Sequence, residues 1–188
     1  ALIRQCALQP ETIEIHSLRD GEEVDEWETV MTIEGDYADF AHLETIYLGI
    51  LARQSRIATN VRRVGKAANG KPVLFFPARY DIYQTQESDG YAALVGGIHG
   101  FSTDANALAA GGKGLGTIPH ALIASYKGDT VAATEAFDKY VDPSIARIAL
   151  VDFDNDCVNT SLAVARKLGK KLAGVRLDTS GSIVDKSL

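Results

Sequence analysis

The chain has 188 residues, 46% of them apolar, and a net charge of −6. That length suits one domain or one domain plus part of another, and that apolar share builds a sizeable core rather than a disordered chain. The acidic balance speaks against general nucleic-acid binding, and no stretch approaches the ~20 apolar residues of a membrane span.

The two cysteines, Cys6 and Cys157, lie far apart without CxxC spacing. Reduced thiols in a cytoplasmic protein are the simplest reading. Four scattered histidines give no zinc pattern.

Residues 12–37 read as β structure, with Ile13 and Ile15 alternating with polar neighbours. Arg19-Asp20-Gly21-Glu22 supplies a turn between two strands, because Asp-Gly is a hairpin signal. The acidic cluster Asp20, Glu22, Glu23, Asp25, Glu26 and Glu28 reads as a solvated edge rather than a metal site. Asp36 or Asp39 then leads into a long helix over 40–64, where Leu43, Ile46, Tyr47, Ile50, Leu51, Ile57 and Val61 recur at helical spacing. Its second half is basic (Arg53, Arg56, Arg62, Arg63, Lys66). This is either a salt-bridged face or help with a polyanionic substrate. The linker Ala67-Ala68-Asn69-Gly70-Lys71-Pro72 marks the expected domain boundary.

After Pro72 the rhythm changes to alternating strands and helices. Val73-Leu74-Phe75-Phe76 reads as a buried strand, 84–96 as a helix, and Ile98 to Phe101 as a second strand. A glycine-rich turn (Gly111, Gly112, Gly114) precedes a helix over 121–140. Arg147 to Val151 is a strand, 156–171 a helix, and Gly174 to Asp178 a further strand. Such alternation argues for parallel βα units, in a barrel or a doubly wound sheet.

In both architectures the active site lies at the C-terminal ends of the strands. The polar residues at those ends are Arg79, Ser102-Thr103-Asp104, Asp152, and Arg176 with Asp178. His120, at a helix start, would join them. Imidazole titrates near neutral pH and can move a proton or accept a phosphoryl group. A sugar-phosphate enzyme needs carboxylates for ribose hydroxyls or a metal, and arginines for anions. The ordinary alternatives are a helix-start His120, core packing for Phe76 and helix capping by Asp152.

Six stretches, taken together and in this order, carry a resemblance: Glu44-Thr45, Phe76-Pro77-Ala78-Arg79, Ser102-Thr103-Asp104-Ala105-Asn106, Gly116-Thr117-Ile118-Pro119-His120, Leu150-Val151-Asp152-Phe153-Asp154 and Gly174-Val175-Arg176-Leu177-Asp178. The set resembles the nicotinate phosphoribosyltransferase family, one of the type II phosphoribosyltransferases and a close relative of the nicotinamide and quinolinate enzymes. The likeness runs along nearly the whole chain.

The resemblance implies an α/β fold: an N-terminal α+β part beside an irregular parallel α/β barrel, incomplete here, in dimers or higher homo-oligomers. On this basis residues 1–70 belong to the N-terminal domain with its linking helix, and 71–188 to the first half of the barrel. It implies transfer of phosphoribose from phosphoribosyl pyrophosphate (PRPP) to nicotinate, giving nicotinate mononucleotide for NAD salvage. It also implies ATP hydrolysis through a phosphorylated histidine, His120, with Mg²⁺ accompanying the pyrophosphate. By the same likeness Phe76 stacks on the pyridine ring and Arg79 faces its carboxylate. Ser102, Thr103 and Asp104 line the substrate site. Arg176 contacts the ring or phosphoribosyl side, Asp178 the ribose hydroxyls, and Asp152 the neighbourhood of the pyrophosphate and His120. Stacking plus a guanidinium suits a flat anion, and carboxylates suit an oxocarbenium-like transition state at the ribose C1.

The sequence departs from the family pattern in three ways. The family's opening segment, with its ring-stacking aromatic, is missing, and so are the later glycine-rich loops that hold the ribose 5′-phosphate. These residues therefore read as an internal portion of a longer protein. Gly111-Gly112-Lys113-Gly114 lacks P-loop spacing and reads as a turn. Asp104 stands where nicotinamide-using relatives carry an aspartate, and would repel a nicotinate carboxylate unless paired or turned away. A nicotinamide-specific enzyme and a catalytically silent nucleotide-binding module on the same fold are the alternatives.

Overall fold

The computed structural model describes residues 2–186. The chain divides between Leu115 and Gly116 into two compact units.

The first unit opens with helix α1 (Leu2–Cys6), then strands β1 (Glu14–Ser17) and β2 (Met31–Glu34). These pair antiparallel, with Glu14 opposite Glu34 and Ser17 opposite Met31. The Asp-Gly turn forms, with the Glu22 N–H donating to the Arg19 carbonyl and Gly21 at φ +94°. It does not close the hairpin, because it sits inside the long 18–30 connection rather than between paired residues. The acidic cluster there is exposed, and Glu23 accepts from Arg62 at 2.7 Å. Ile3, Ile13 and Phe40 form a small buried core beneath the hairpin, joined by Ile15, Ile33 and Tyr47.

Helix α2 (Tyr37–Phe40) is capped by Asp36, whose carboxylate accepts from the Ala38 N–H. The long helix α3 (Glu44–Ala67) follows and packs on α4 (Gln86–Val95). Arg53 on α3 forks onto Asp89 of α4 with contacts of 2.9 and 2.8 Å, and also meets Asp81 at 3.0 Å. The basic second half of α3 is thus largely ion-paired: Arg53 with Asp89, Arg62 and Lys66 with Glu23. Gly90 lets α4 approach helix α5 (Asp104–Ala107). A Cβ there would lie 2.0 Å from the Asn106 carbonyl oxygen. Strands β3 (Leu74–Phe75) and β4 (Gly100–Phe101) are shorter than the sequence predicts and pair in parallel. Phe75 and Phe101 meet edge to face within a core that includes Val61, Ala93 and Ile98.

The second unit holds α6 (His120–Ser125), α7 (Thr130–Tyr140), β5 (Arg147–Leu150), α8 (Cys157–Leu168) and β6 (Leu172–Arg176). The expected single helix over 121–140 is two helices. Lys127 and Gly128 take positive φ, and Asp129 then caps α7 by accepting from the Ala132 N–H. Strands β5 and β6 pair in parallel across α8, with Leu150 opposite Arg176. Ile118, Ile123, Leu150, Val151 and Val164 make the buried centre. Each such side chain contributes roughly 1.5–3 kcal/mol on burial.

The sheets among the described residues are thus one antiparallel and two parallel pairs. This is a mixed α/β fold, and no closed barrel is present among the described residues. The linker at 67–72 lies inside the first unit. No helix among the described residues is long and apolar enough to cross a membrane.

Candidate functional site

The second unit gathers its chemistry at one end of the β5–β6 pair. Because the strands are parallel and Leu150 faces Arg176, the residues two beyond each also come together. They are Asp152 and Asp178. The start of α6 brings His120 to them. His120 Nε2 lies 3.2 Å from Asp152 Oδ1, and Nδ1 lies 3.9 Å from Asp178 Oδ2. Arg176 Nη1 meets the same Asp178 oxygen at 3.0 Å. The ring of Phe153 sits 6.3 Å from the imidazole, centroid to centroid.

Burial is graded across this cluster. The Asp152 side chain is 1% exposed and that of His120 37%. Asp152 Oδ2 accepts from the Asp178 N–H at 2.6 Å and the Thr179 hydroxyl at 2.7 Å. Burial alone pushes the Asp152 carboxyl up. The Thr179 hydroxyl, the backbone N–H groups and His120 outweigh it and hold the group below the usual carboxylate range. Asp152 is therefore a fixed negative charge beside the imidazole. With Nε2–H donated to Asp152, the lone pair of neutral His120 sits on Nδ1. Arg176 Nε is buried without a hydrogen-bond partner.

Thr179 is a contact that sequence reading misses. A threonine in the run Thr179-Ser180-Gly181-Ser182 reads as loop. The available signal is its place directly after the Arg176-Leu177-Asp178 strand end.

The residues expected at the site in the first unit lie around the β3–β4 end. Phe76 follows β3 and is 44% exposed, so it is not core. Ser102 follows β4; its N–H donates to the Phe75 carbonyl, and its hydroxyl is buried without a partner. Thr103 caps α5, accepting from the Asn106 N–H and donating toward Gln86. Asp104 is exposed, and its Oδ1 accepts from the Gly114 N–H at 2.7 Å, pinning the glycine-rich turn. Arg79 is exposed and makes no ion pair among the described residues.

These carboxylates do not form a metal cage. Among the described residues no group of three or more His, Cys, Asp or Glu could hold a metal ion. Both oxygens of Asp152 already accept hydrogen bonds, and Asp178 Oδ2 faces Arg176 and His120. They do not fit a resident ion in this arrangement.

Residues 4–55 match the family model of the quinolinate phosphoribosyl transferase N-terminal domain. The nicotinate phosphoribosyltransferase of Bacillus subtilis (strain 168) is 30% identical over 179 residues, covering 87% of this chain and 34% of that protein. The crystal structure of nicotinate-nucleotide pyrophosphorylase from Pyrococcus furiosus has a TM-score of 0.85 at 41% identity, over 91% of this chain and 44% of that one. The chain thus spans less than half the length of either protein. Similarity to both covers most of this chain and only part of each relative, and the chain belongs to the type II phosphoribosyltransferase family.

Proposed function

We propose that this chain is part of a nicotinate phosphoribosyltransferase of NAD salvage, which moves phosphoribose from PRPP to nicotinate and couples the transfer to ATP. The observation that carries this reading is the His120–Asp152 pair at the C-terminal end of parallel strands. In it, His120 Nδ1 takes the γ-phosphoryl of ATP as the bond to ADP breaks, and water later removes it as phosphate. The buried Asp152 charge holds Nε2–H and stabilises the imidazolium character that develops. Asp178 faces the ribose, where a carboxylate offsets positive charge at C1. Arg176 contributes its guanidinium, partly exposed beside Asp178, to an anionic group of the substrate.

Phe76 and Arg79 serve the pyridine ring and its carboxylate, and Ser102 and Thr103 belong to the same substrate set. Exposure of Phe76 and the unpaired Arg79 support these roles. Asp104 gives one oxygen to Gly114, which weakens the case for a nicotinamide-type aspartate. On this reading residues 1–70 are part of an N-terminal α/β domain with its linking helix, and residues 71–188 are the first half of an α/β barrel domain. A cytoplasmic homodimer or higher homo-oligomer completes the reading. Magnesium enters as a companion of the substrate phosphates rather than as a ligand-bound resident.

A second reading is quinolinate as the pyridine substrate, favoured by the match of residues 4–55. The test uses the intact gene product with PRPP, in magnesium buffer, with and without ATP. Nicotinate, nicotinamide and quinolinate are offered side by side to wild type and His120→Ala. Nicotinate turnover that rises with ATP, and loses that rise in the variant, upholds the proposal. Turnover of another pyridine alone overturns the substrate assignment, and nucleotide binding without turnover points to a silent module.

A further inference from the structure

The two oxygens of Asp152 are treated differently by the fold. Oδ1 is left to His120, at 3.2 Å from Nε2. Oδ2 takes two donors from the next strand end, the Asp178 N–H and the Thr179 hydroxyl. A carboxylate turns easily about its last bond, since that torsion is broad and roughly two-fold. Two donors converging on one oxygen stop that turn and fix where the other oxygen points. The buried side chain leaves little solvent to substitute for a missing donor.

The segment that presents Thr179 is itself held. Asp185 accepts from the Cys157 N–H at 2.9 Å, and Asn155 Nδ2 donates to the Val184 carbonyl. The Lys186 N–H donates to the Asn155 carbonyl at 2.8 Å, and its ammonium reaches the Asp154 carbonyl at 2.9 Å. The run 178–186 is thus tied at both ends to the loop 152–157. The hydroxyl is delivered by a strap with little freedom to drift.

We propose that Thr179 is a positioning residue. Its hydroxyl fixes the Asp152 carboxylate so that Oδ1 faces His120, and so keeps the proton of neutral His120 on Nε2 and the lone pair on Nδ1. This deepens the proposed function and rests on the reading of His120 as the reacting residue. The backbone donor from Asp178 yields only to proline, which also changes the backbone, whereas the hydroxyl can be removed with the shape kept. Valine keeps the shape of threonine without the donor, and serine keeps the donor without the methyl.

The test compares Thr179→Val and Thr179→Ser with wild type in the intact gene product. The first readout is the nitrogen chemical shifts of the His120 ring by NMR, which report the tautomer without any turnover. Thr179→Val is expected to move neutral His120 from the Nε2–H form to a mixture, and Thr179→Ser to keep it. The second readout is ATP-coupled turnover. Thr179→Val is expected to lower kcat about 10–100-fold, as loss of a partner acting through a second residue does. KM for the pyridine and for PRPP stays within about two-fold of wild type, because the hydroxyl contacts Asp152 rather than substrate. The acid limb of the kcat profile moves to higher pH, since Asp152 loses a donor to its charged form. Thr179→Ser restores all three. If the valine variant does not fold, Thr179→Ala carries the same comparison.

Unchanged ring shifts in the hydroxyl-lacking variant overturn the positioning role, whatever the turnover. A wild type that turns over no pyridine, yet whose His120 tautomer responds to Thr179→Val, sinks the proposed function and upholds the positioning role.

Discussion

Asp152 and His120 meet as a buried carboxylate and a partly open imidazole, with Oδ1 of one 3.2 Å from Nε2 of the other. The fold buries the charge and leaves the imidazole partly accessible. Asp152→Asn keeps the shape but removes the charge. It is expected to cut ATP-coupled turnover by about 10²–10⁴-fold while PRPP still binds. Steady-state kinetics with a binding measurement on the same preparation check this, and near-wild-type turnover would reject the assignment.

The same carboxylate gives a pH signature. Burial raises Asp152, but the donors on it win and its pKa falls below the usual range. A group depressed in the folded state adds stability above its unfolded pKa of about 3.9, and that stability is lost as pH falls through the folded value. Tm of the wild type is therefore expected to drop more steeply below about pH 4 than Tm of Asp152→Asn. Asp138 and Asp142 are also depressed and remain in both proteins, so the difference isolates Asp152. Parallel Tm curves would contradict the claim.

Asp104 separates a structural role from a specificity role. Its hydrogen bond to the Gly114 N–H ties down the turn. Asp104→Ala is expected to cost about 1 kcal/mol of stability. The ratio of kcat/KM for nicotinate over nicotinamide stays where it was. A reversed ratio would make Asp104 the residue that chooses the pyridine.

Two glycines offer opposite outcomes from one substitution. A Cβ on Gly90 would strike the Asn106 backbone at 2.0 Å, whereas one on Gly49 in α3 meets nothing within 4 Å. Gly90→Ala is expected to destabilise by about 2–3 kcal/mol, since backbone cannot move aside cheaply. Gly49→Ala is expected to stabilise by roughly 0.5–1 kcal/mol through helix propensity. Denaturant melts of the pair test both signs.

Arg147 holds the second unit together. It is buried at the start of β5, where Nε meets Asp138 at 3.0 Å and its Nη groups donate to the carbonyls of Asp138, Val141, Asp142 and Ile145. These include the Asp138 carbonyl in the last turn of α7, where helix carbonyls lack intrahelical partners. Arg147→Met is expected to cost about 3 kcal/mol, read as a Tm fall of roughly 6–12 °C at this chain size. A lysine there fares little better, because it lacks the planar fork.

The order of strands and helices after Pro72 was legible from apolar runs and glycine punctuation, and so was the gathering of polar side chains at the ends of β5 and β6. Asp152, Arg176 and Asp178 stand where strands end, which is where chemistry collects in parallel α/β folds. The rest was hidden for physical reasons. The α6–α7 break rests on Lys127 and Gly128 at positive φ, and lysine gives no warning of that conformation. Strands β3 and β4 shrink to two residues each, since only Leu74 to Phe75 and Gly100 to Phe101 find partners. Arg147 reads as an ordinary strand residue, because its partners come from the loop and helix before it. Thr179 reads as loop, because what it touches is set by tertiary contact.

The parallel register of β5 and β6 also sets what this site can survive. Asp152 and Asp178 face one imidazole because each stands two residues past the paired positions Leu150 and Arg176. Side chains on a strand alternate, so one residue gained or lost inside either strand turns a carboxylate to the opposite face. Substitutions there can be absorbed, but a change of count cannot. The connection between α7 and β5 carries no such constraint, provided Arg147 keeps its partners. A change of length on the approach to β5 leaves the cluster intact and one within the strands breaks it, so the cluster is specified by a spacing as much as by a set of residues.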